Sequence, residues 1–263
     1  MDQGSYKTYN CNAKDLFSES RGHALGEMTP SLILTDPPYC TNKRQSRKGG
    51  ASYPDTSTPA HIAGIIGLVA DRFMGLKTTL AVICDYRLAY TLVTYLEKRL
   101  GLTLRGEIIW EFGLGRARTS WWPNRHNHIL TFTDSDKDGM YNPNALPRTK
   151  RLAKSKGYPD DKPMGSVWEF TFSNTHRERV KYPNQKPSDL LIPLILAHSK
   201  PGDLIIDPFM GSGSTGVSAL MTHRKFMGCD MNPEAIDISE QRLLNAFWTN
   251  WPARTEDSFW EDK

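Results

Sequence analysis

The chain has 263 residues, 38% of them apolar, which suits one large domain with a sizeable core. Its 33 basic and 29 acidic residues leave a net charge of only +4, so any polyanionic partner has to be met by local patches rather than bulk charge. Cys11, Cys40, Cys84 and Cys229 form no CxxC pair, which argues against a zinc cluster, and no apolar run approaches the roughly 20 residues of a membrane span. With no signal-peptide pattern either, a soluble cytoplasmic protein without membrane partners is expected.

Apolar runs bounded by turn residues predict strands near residues 6–10, 31–35, 79–84, 105–110, 128–133, 203–206 and 225–229. Between them, helical periodicity predicts helices over Pro59 to Arg72 (Ile62, Ile65, Ile66, Val69) and Arg87 to Leu100 (Leu88, Leu92, Val93, Leu96). Ser188 to His198 is nearly all apolar after a proline and a serine, and Asn232 to Phe247 opens on a cap followed by proline. Strands alternating with helices predict an α/β fold, a mostly parallel sheet with helices on both faces.

The strand at 31–35 runs into Asp36-Pro37-Pro38-Tyr39-Cys40, a stiff corner that carries one acid. In an open α/β sheet such a corner places its side chains at the carboxyl edge, where ligands bind. Two basic stretches break the alternation. Cys40 to Thr58 holds Lys43, Arg44, Arg47 and Lys48 with no acid before Asp55, and reads as a basic loop after the corner. Asp134 to Gly165 is rich in proline, glycine, asparagine and charge, and includes Arg148, Lys150, Arg151, Lys154 and Lys156. Irregular stretches of this length inside a domain are usually functional, and these two predict phosphate contacts.

Leu204 to Gly216, LIIDPFMGSGSTG, is a strand, a glycine turn and a helix start. Gly211 to Gly216 satisfies GxGxxG, but only 47 residues follow, too few for a dinucleotide-binding unit that opens on this loop. Gly211 to Ser218 has P-loop glycine spacing, but Val217 stands where the phosphate-binding lysine is needed. Asp207 before the loop and Asp230 after the next strand offer carboxylates to a ribose and to a cationic amino-acid group. They would repel a pyrophosphate and suit S-adenosylmethionine.

The ordered set DPPY, then YPNQKP (182–187), then PGDLIIDPFMGSGSTG and Gly228-Cys229-Asp230 resembles the permuted, β-class amino-methyltransferases of DNA, in which the catalytic motif precedes the cofactor loop. The resemblance covers nearly the whole chain outside residues 134–165. It implies a Rossmann-like S-adenosylmethionine-dependent methyltransferase fold with circularly permuted motif order, residues 1–263 being one catalytic domain, 134–165 an inserted target-recognition segment and 40–58 a basic loop.

The same resemblance implies methylation of the exocyclic amine of a flipped base in double-stranded DNA. Adenine N6 is preferred because Asp-Pro-Pro-Tyr goes with adenine more often than with cytosine N4. Asp36, Pro37, Pro38 and Tyr39 are the expected catalytic set. Asp36 and the Pro37 carbonyl would take the two amine hydrogens, and Tyr39 would stack on the base. Asn12, Lys186, Pro187, Asp207, Phe209, Gly211, Gly213, Ser214, Thr215 and Asp230 are the expected cofactor-binding residues. Lys43, Arg44, Arg47, Lys48, Arg148, Lys150, Arg151 and Lys154 are expected on DNA. A homodimer and a cognate restriction endonuclease are the further partners it suggests, in a bacterial, archaeal or phage-infected cell.

His126-Asn127 stands where a His-Glu pair is common, and Tyr182 where histidine is frequent. His126 and His128 alternate on one strand but lack a third ligand at familiar spacing, so no metal is expected. The rivals are an RNA or protein methyltransferase, whose cofactor loop usually comes before an Asn-Pro-Pro-Tyr motif, and a DNA-binding homologue that has lost catalysis.

Overall fold

The computed structural model describes residues 5–16, 29–40, 57–75, 77–112, 122–135, 139–150, 161–170 and 178–248. In chain order the strands are β1 (Tyr6–Asn10), β2 (Leu32–Thr35), β3 (Thr79–Cys84), β4 (Thr103–Glu111), β5 (His126–Thr133), β6 (Arg148–Lys150), β7 (Asp161–Pro163), β8 (Val167–Glu169), β9 (Leu204–Asp207) and β10 (Lys225–Asp230). The helices are α1 (Ala13–Leu16), α2 (Pro59–Phe73), α3 (Tyr86–Leu100), α4 (Ser188–His198), α5 (Ser214–Met221) and α6 (Pro233–Trp248).

Eight strands form one sheet in the order β1-β10-β9-β2-β3-β5-β4-β8. All pairs are parallel except the two that β5 makes, with β3 and with β4. The residues of β2 and β3 are buried throughout, which is why their sequences run apolar without alternation. One face carries α1, α2 and α3, packing Ile62, Ile66, Leu88 and Leu92 on Ile33, Val82 and Ile206. The other carries α4, α5 and α6, packing Leu190, Leu194, Val217 and Leu243 on Leu34, Ile83 and Ile205.

Local chemistry sets the helix ends. Thr58 accepts from His61 N ahead of Pro59 in α2, and Asp85 accepts from Arg87 N and Leu88 N at the start of α3. Gly101, at φ +68°, closes α3 in the left-handed conformation. The predicted strands and the four long helices are present, with ends differing by a few residues.

β8 escapes prediction because it is three residues long and pairs only with β4. The stretch 134–165, expected to be irregular, contains the antiparallel pair β6–β7 and a 3₁₀ turn, Pro143–Ala145, that packs on Ile192 and Leu196 of α4. Among the described residues no helix is long and apolar enough to cross a membrane.

The order of β9 and β2 sets the location of the site. They are adjacent and parallel, yet β9 leads into α5 on one face whereas the helix after β2, α2, lies on the other. The chain therefore diverges at the carboxyl ends of β9 and β2. Such a switch point opens a crevice in a parallel sheet. The late glycine loop and the early acidic corner, 171 residues apart between Asp36 and Asp207, meet at that crevice.

Candidate active site

Asp36 follows directly on β2, and two donors hold its carboxylate. Tyr39 Oη donates to Oδ1 at 2.6 Å, and the Lys186 ammonium pairs with Oδ2. Asn127 of β5, itself buried, donates from Nδ2 to Tyr39 Oη at 3.0 Å. Burial, and next the charge of Asp36, push the Tyr39 phenol well above its ordinary value, so it remains a hydrogen-bond donor at neutral pH. Pro37 is buried and Pro38 exposed, so the corner is anchored on one side and open on the other.

Lys186 is 7% exposed, and its ammonium lies 5.3 Å from the Tyr39 ring centre and 5.9 Å from that of Trp110. The resemblance places it among the cofactor residues; in the structure its ammonium pairs with the acidic corner. Pro187 occupies the N-cap position of α4. The start of that helix is braced by Glu178, whose Oε1 accepts from Ser188 N at 3.0 Å and whose Oε2 accepts from Ser188 Oγ.

On the β9 side the loop turns through Gly211 (φ +49°) and Gly213 (φ +76°). A Cβ on Gly213 would lie 2.8 Å from Ser239 Cβ, and one on Gly211 would lie 3.3 Å from the Tyr182 ring. Gly213 needs glycine for conformation and for space, and Gly211 favours it for its left-handed conformation. Ser214 and Thr215 are buried in the first turn of α5, which no side chain caps. Phe209 is partly buried against the α2 face.

Arg242, from α6, donates from Nη1 to Ser212 O at 2.6 Å and to Ser214 Oγ at 3.1 Å, clamping the loop from behind. Sequence reasoning missed Arg242 and Glu178, and singled out Asn127 without its contact to Tyr39, because each acts across at least ten residues of chain.

Asp207, expected to meet a cationic group, is enclosed. It is 2% exposed, and its Oδ1 accepts from Thr35 Oγ1 at 2.8 Å and from Phe209 N at 3.0 Å. Burial pushes its carboxyl up to about 7, against hydrogen bonds from Thr215, Thr35 and Phe209 that favour the ionised form. A carboxylate so enclosed braces the turn rather than meeting solvent.

Asp230 is more open. Its Oδ2 accepts from Gly211 N at 3.0 Å and its Oδ1 from Asn232 N at 2.8 Å, which fixes both oxygens and leaves each a further lone pair. Burial raises its pKa, opposed by these backbone hydrogen bonds. Asn12, beside Asp230 across the β1–β10 edge, uses Oδ1 to accept from Lys14 N at the start of α1 and Nδ2 to reach Met231 Sδ. It is first a helix cap, a role the Asn-Ala-Lys-Asp pattern signals.

Of the residues expected on DNA, Arg148 is exposed at the start of β6 and Lys150 ends that strand. Lys43, Arg44, Arg47, Lys48, Arg151 and Lys154 lie outside the described residues. His126 and His128 do share a face, with ring centres 5.2 Å apart, and His128 Nδ1 lies 2.5 Å from Glu107 Oε1. No group of three or more side chains that could hold a metal occurs among the described residues.

A profile of the DNA methylase family matches residues 31–241, spanning both the acidic corner and the glycine loop. The chain belongs to this family. Its members act on adenine N6 or cytosine N4, and the chain is accordingly an S-adenosylmethionine-dependent DNA methyltransferase. It is 27% identical over 226 residues to the Type II methyltransferase M.HpaI of Haemophilus parainfluenzae, covering 85% of this chain and 71% of that one. It is 30% identical over 161 residues to the DNA adenine methyltransferase YhdJ of Escherichia coli K12, covering 56% and 55% respectively.

Solved structures share the fold. The M1.HpyAVI–SAM complex superposes with a TM-score of 0.66 at 21% identity, covering 90% of this chain and 98% of that one. The cytosine-N4-specific PvuII methyltransferase superposes at 0.69 with 15% identity, covering 96% and 89%.

The residues present fit the family's cofactor. The glycine turn admits close backbone approach, the uncapped start of α5 offers amide donors to a carboxylate, and Asp230 offers two fixed acceptors to a diol.

Proposed function

We propose that this chain methylates the N6 amine of adenine within a specific double-stranded sequence. The observation that carries the proposal is the Asp36 carboxylate, fixed by Tyr39 and Lys186, at the crevice where β2 and β9 diverge beside the glycine loop. The Asp-Pro-Pro-Tyr form of the corner, and the kinship with a methyltransferase named for adenine, favour adenine. The likeness in fold to a cytosine-N4 enzyme keeps N4 of cytosine as the second reading.

An exocyclic amine conjugated with its ring is a poor nucleophile. Two acceptors, Asp36 and the Pro37 carbonyl, draw its hydrogens out of the ring plane and localise the lone pair on nitrogen. Pro37 and Pro38 hold these acceptors in place before substrate arrives, so no ordering is left to the moment of reaction. Tyr39 offers a ring to an extruded base, since the amine is out of reach within the duplex.

Gly211, Gly213, Ser214, Thr215 and Phe209 would line the methionine end of the cofactor, Asp230 its ribose and Asn12 its adenine edge. Pro187 would start the helix over the pocket, with Asp207 bracing the loop from below. Bound there, the cofactor supplies an electrophilic methyl group.

Residues 1–263 then form one catalytic domain, with 134–165 reading the target. Lys43, Arg44, Arg47, Lys48, Arg148, Lys150, Arg151 and Lys154 hold phosphates. A homodimer, a cognate restriction endonuclease and a cytoplasmic location complete the reading.

The test is to incubate the protein with isotopically labelled S-adenosylmethionine and unmethylated genomic DNA, digest to nucleosides and identify the labelled species by mass spectrometry. Labelled N6-methyladenine is expected. Label in N4-methylcytosine would replace the base assignment, and label only in RNA or protein would overturn the DNA reading.

A further inference from the structure

We infer that Lys186 is a positioning residue for the catalytic carboxylate, holding Asp36 in one rotamer for the amine, and that it does not hold the cofactor. The inference rests on the methyltransferase reading above and deepens it.

A lysine that is 7% exposed needs a partner to offset the lost hydration of its charge. The partners of Lys186 are the Asp36 carboxylate, the Asn184 carbonyl at 3.3 Å, and the faces of Tyr39 and Trp110. Asp36 supplies the only formal charge among them. Each ring face adds attraction for the ammonium without competing for a proton. The arrangement is a box for one cation, open toward one carboxylate.

The backbone is braced to deliver that cation. Gln185 Nε2 donates to Glu178 O at 2.8 Å and its Oε1 accepts from Val180 N at 2.8 Å, tying down the residue before Lys186. Asn184 turns the chain at φ +56°, and Pro187 follows with a ring-fixed φ of −72°. Glu178 then clamps Ser188 at the first turn of α4. Lysine therefore approaches Asp36 from a rigid turn, not from a mobile side of the crevice.

The chemistry explains the need. A carboxylate accepting an amine hydrogen has to be ionised and aimed, and a free carboxylate rotates about its last bond. Tyr39 fixes Oδ1 and Lys186 fixes Oδ2, one donor per oxygen from two different elements. Each oxygen retains a lone pair for substrate. Lys186 raises no barrier to the cofactor, because its charge is already satisfied at the corner.

The experiment compares wild type with K186M, K186Q and K186R. It measures saturating methyl-transfer rate on DNA, cofactor affinity by titration calorimetry, DNA affinity, and thermal unfolding. K186M and K186Q are expected to lose about 10²-fold in kcat, the scale of removing one preorganised electrostatic contact, with cofactor and DNA affinities retained. K186R, which keeps the charge in a different shape, is expected to recover part of the loss.

A raised cofactor Kd with full kcat at saturation would overturn the inference, as would K186M and K186Q matching wild type. If K186M does not fold, K186Q and K186R decide by the same criteria. Absence of methyl transfer by the wild type would instead count against the functional reading itself.

Discussion

Thr35 Oγ1 donates to Asp207 Oδ1 at 2.8 Å, and both residues are buried. The bond crosses from β2 to β9 at the point where their helices part to opposite faces, and so ties the catalytic corner to the cofactor loop. Replacing Thr35 with valine keeps the shape and removes the donor. A loss of about 1–3 kcal/mol is expected for the weakened buried pairing. Urea denaturation measures it, and a reduced methyl-transfer rate should accompany it because the corner is freed relative to the loop.

Asp207 itself gives a pH signature. Its carboxyl moves from an ordinary 3.8 to about 7, chiefly through burial, so the folded state binds the proton more tightly than the unfolded chain. By linkage its contribution falls as pH rises from about 4 toward 7, and the cost is complete above that range. Asp207→Asn carries no such slope. Denaturation midpoints of the variant and the wild type, followed from pH 5 to 8, should shift in the variant's favour as pH rises, at most roughly 1.4 kcal/mol per pH unit. A gap that does not change with pH would show that Asp207 titrates normally.

Much of this site is legible in the sequence because its parts are contiguous. The acid, prolines and tyrosine of residues 36–39 declare a stiff polar corner, and Gly211 and Gly213 declare a turn that favours glycine. What brings corner and loop together is strand order, which no local pattern encodes. The Asp36–Lys186 pair spans 150 residues, and Asn127 reaches Tyr39 across 88. Such contacts exist only once β2 lies between β9 and β3, with β5 beyond. The enclosure of Asp207 is illegible for the same reason, since it is Thr35 from the adjacent strand that closes over it.

Asp36 is coupled to a cation, so its replacement has two consequences. Asp36→Asn is expected to abolish most methyl transfer, by at least about 10²-fold, since the amide can no longer accept as a charged group. Cofactor affinity should persist because Asp230 and the glycine turn are untouched. Asp36→Ala should in addition lower thermal stability, by leaving Lys186 buried beside rings without its counter-charge. The double variant D36A/K186M should be more stable than D36A alone. Scanning calorimetry of the three proteins checks the order.

Gly213 has no room for change. It sits at φ +76°, and an added methyl would meet Ser239 Cβ at 2.8 Å. Gly213→Ala should therefore cost roughly 1–3 kcal/mol from backbone strain alone, with the collision adding to it. Because the turn feeds α5, cofactor affinity should fall with stability. Pairing the change with Ser239→Gly should restore part of the loss, as the shortest contact is removed while the Ser239 Cα at 3.2 Å and the left-handed strain remain.

Arg242 separates loop support from chemistry. Its Nη1 holds Ser212 O, Ser212 Oγ and Ser214 Oγ, and burial lowers its pKa, opposed by the nearby charge of Glu178. Arg242→Met keeps much of the apolar stem but releases three contacts to the turn. Weaker cofactor binding is expected, of order tenfold for about 1.4 kcal/mol of lost support, with kcat at saturating cofactor near that of the wild type. Lys186 variants should show the reverse pattern, so titrating cofactor against both sets distinguishes the residue that shapes the loop from the residue that aims the carboxylate. A kcat defect in Arg242→Met that saturating cofactor does not repair would place this arginine in the chemistry of Asp36 instead.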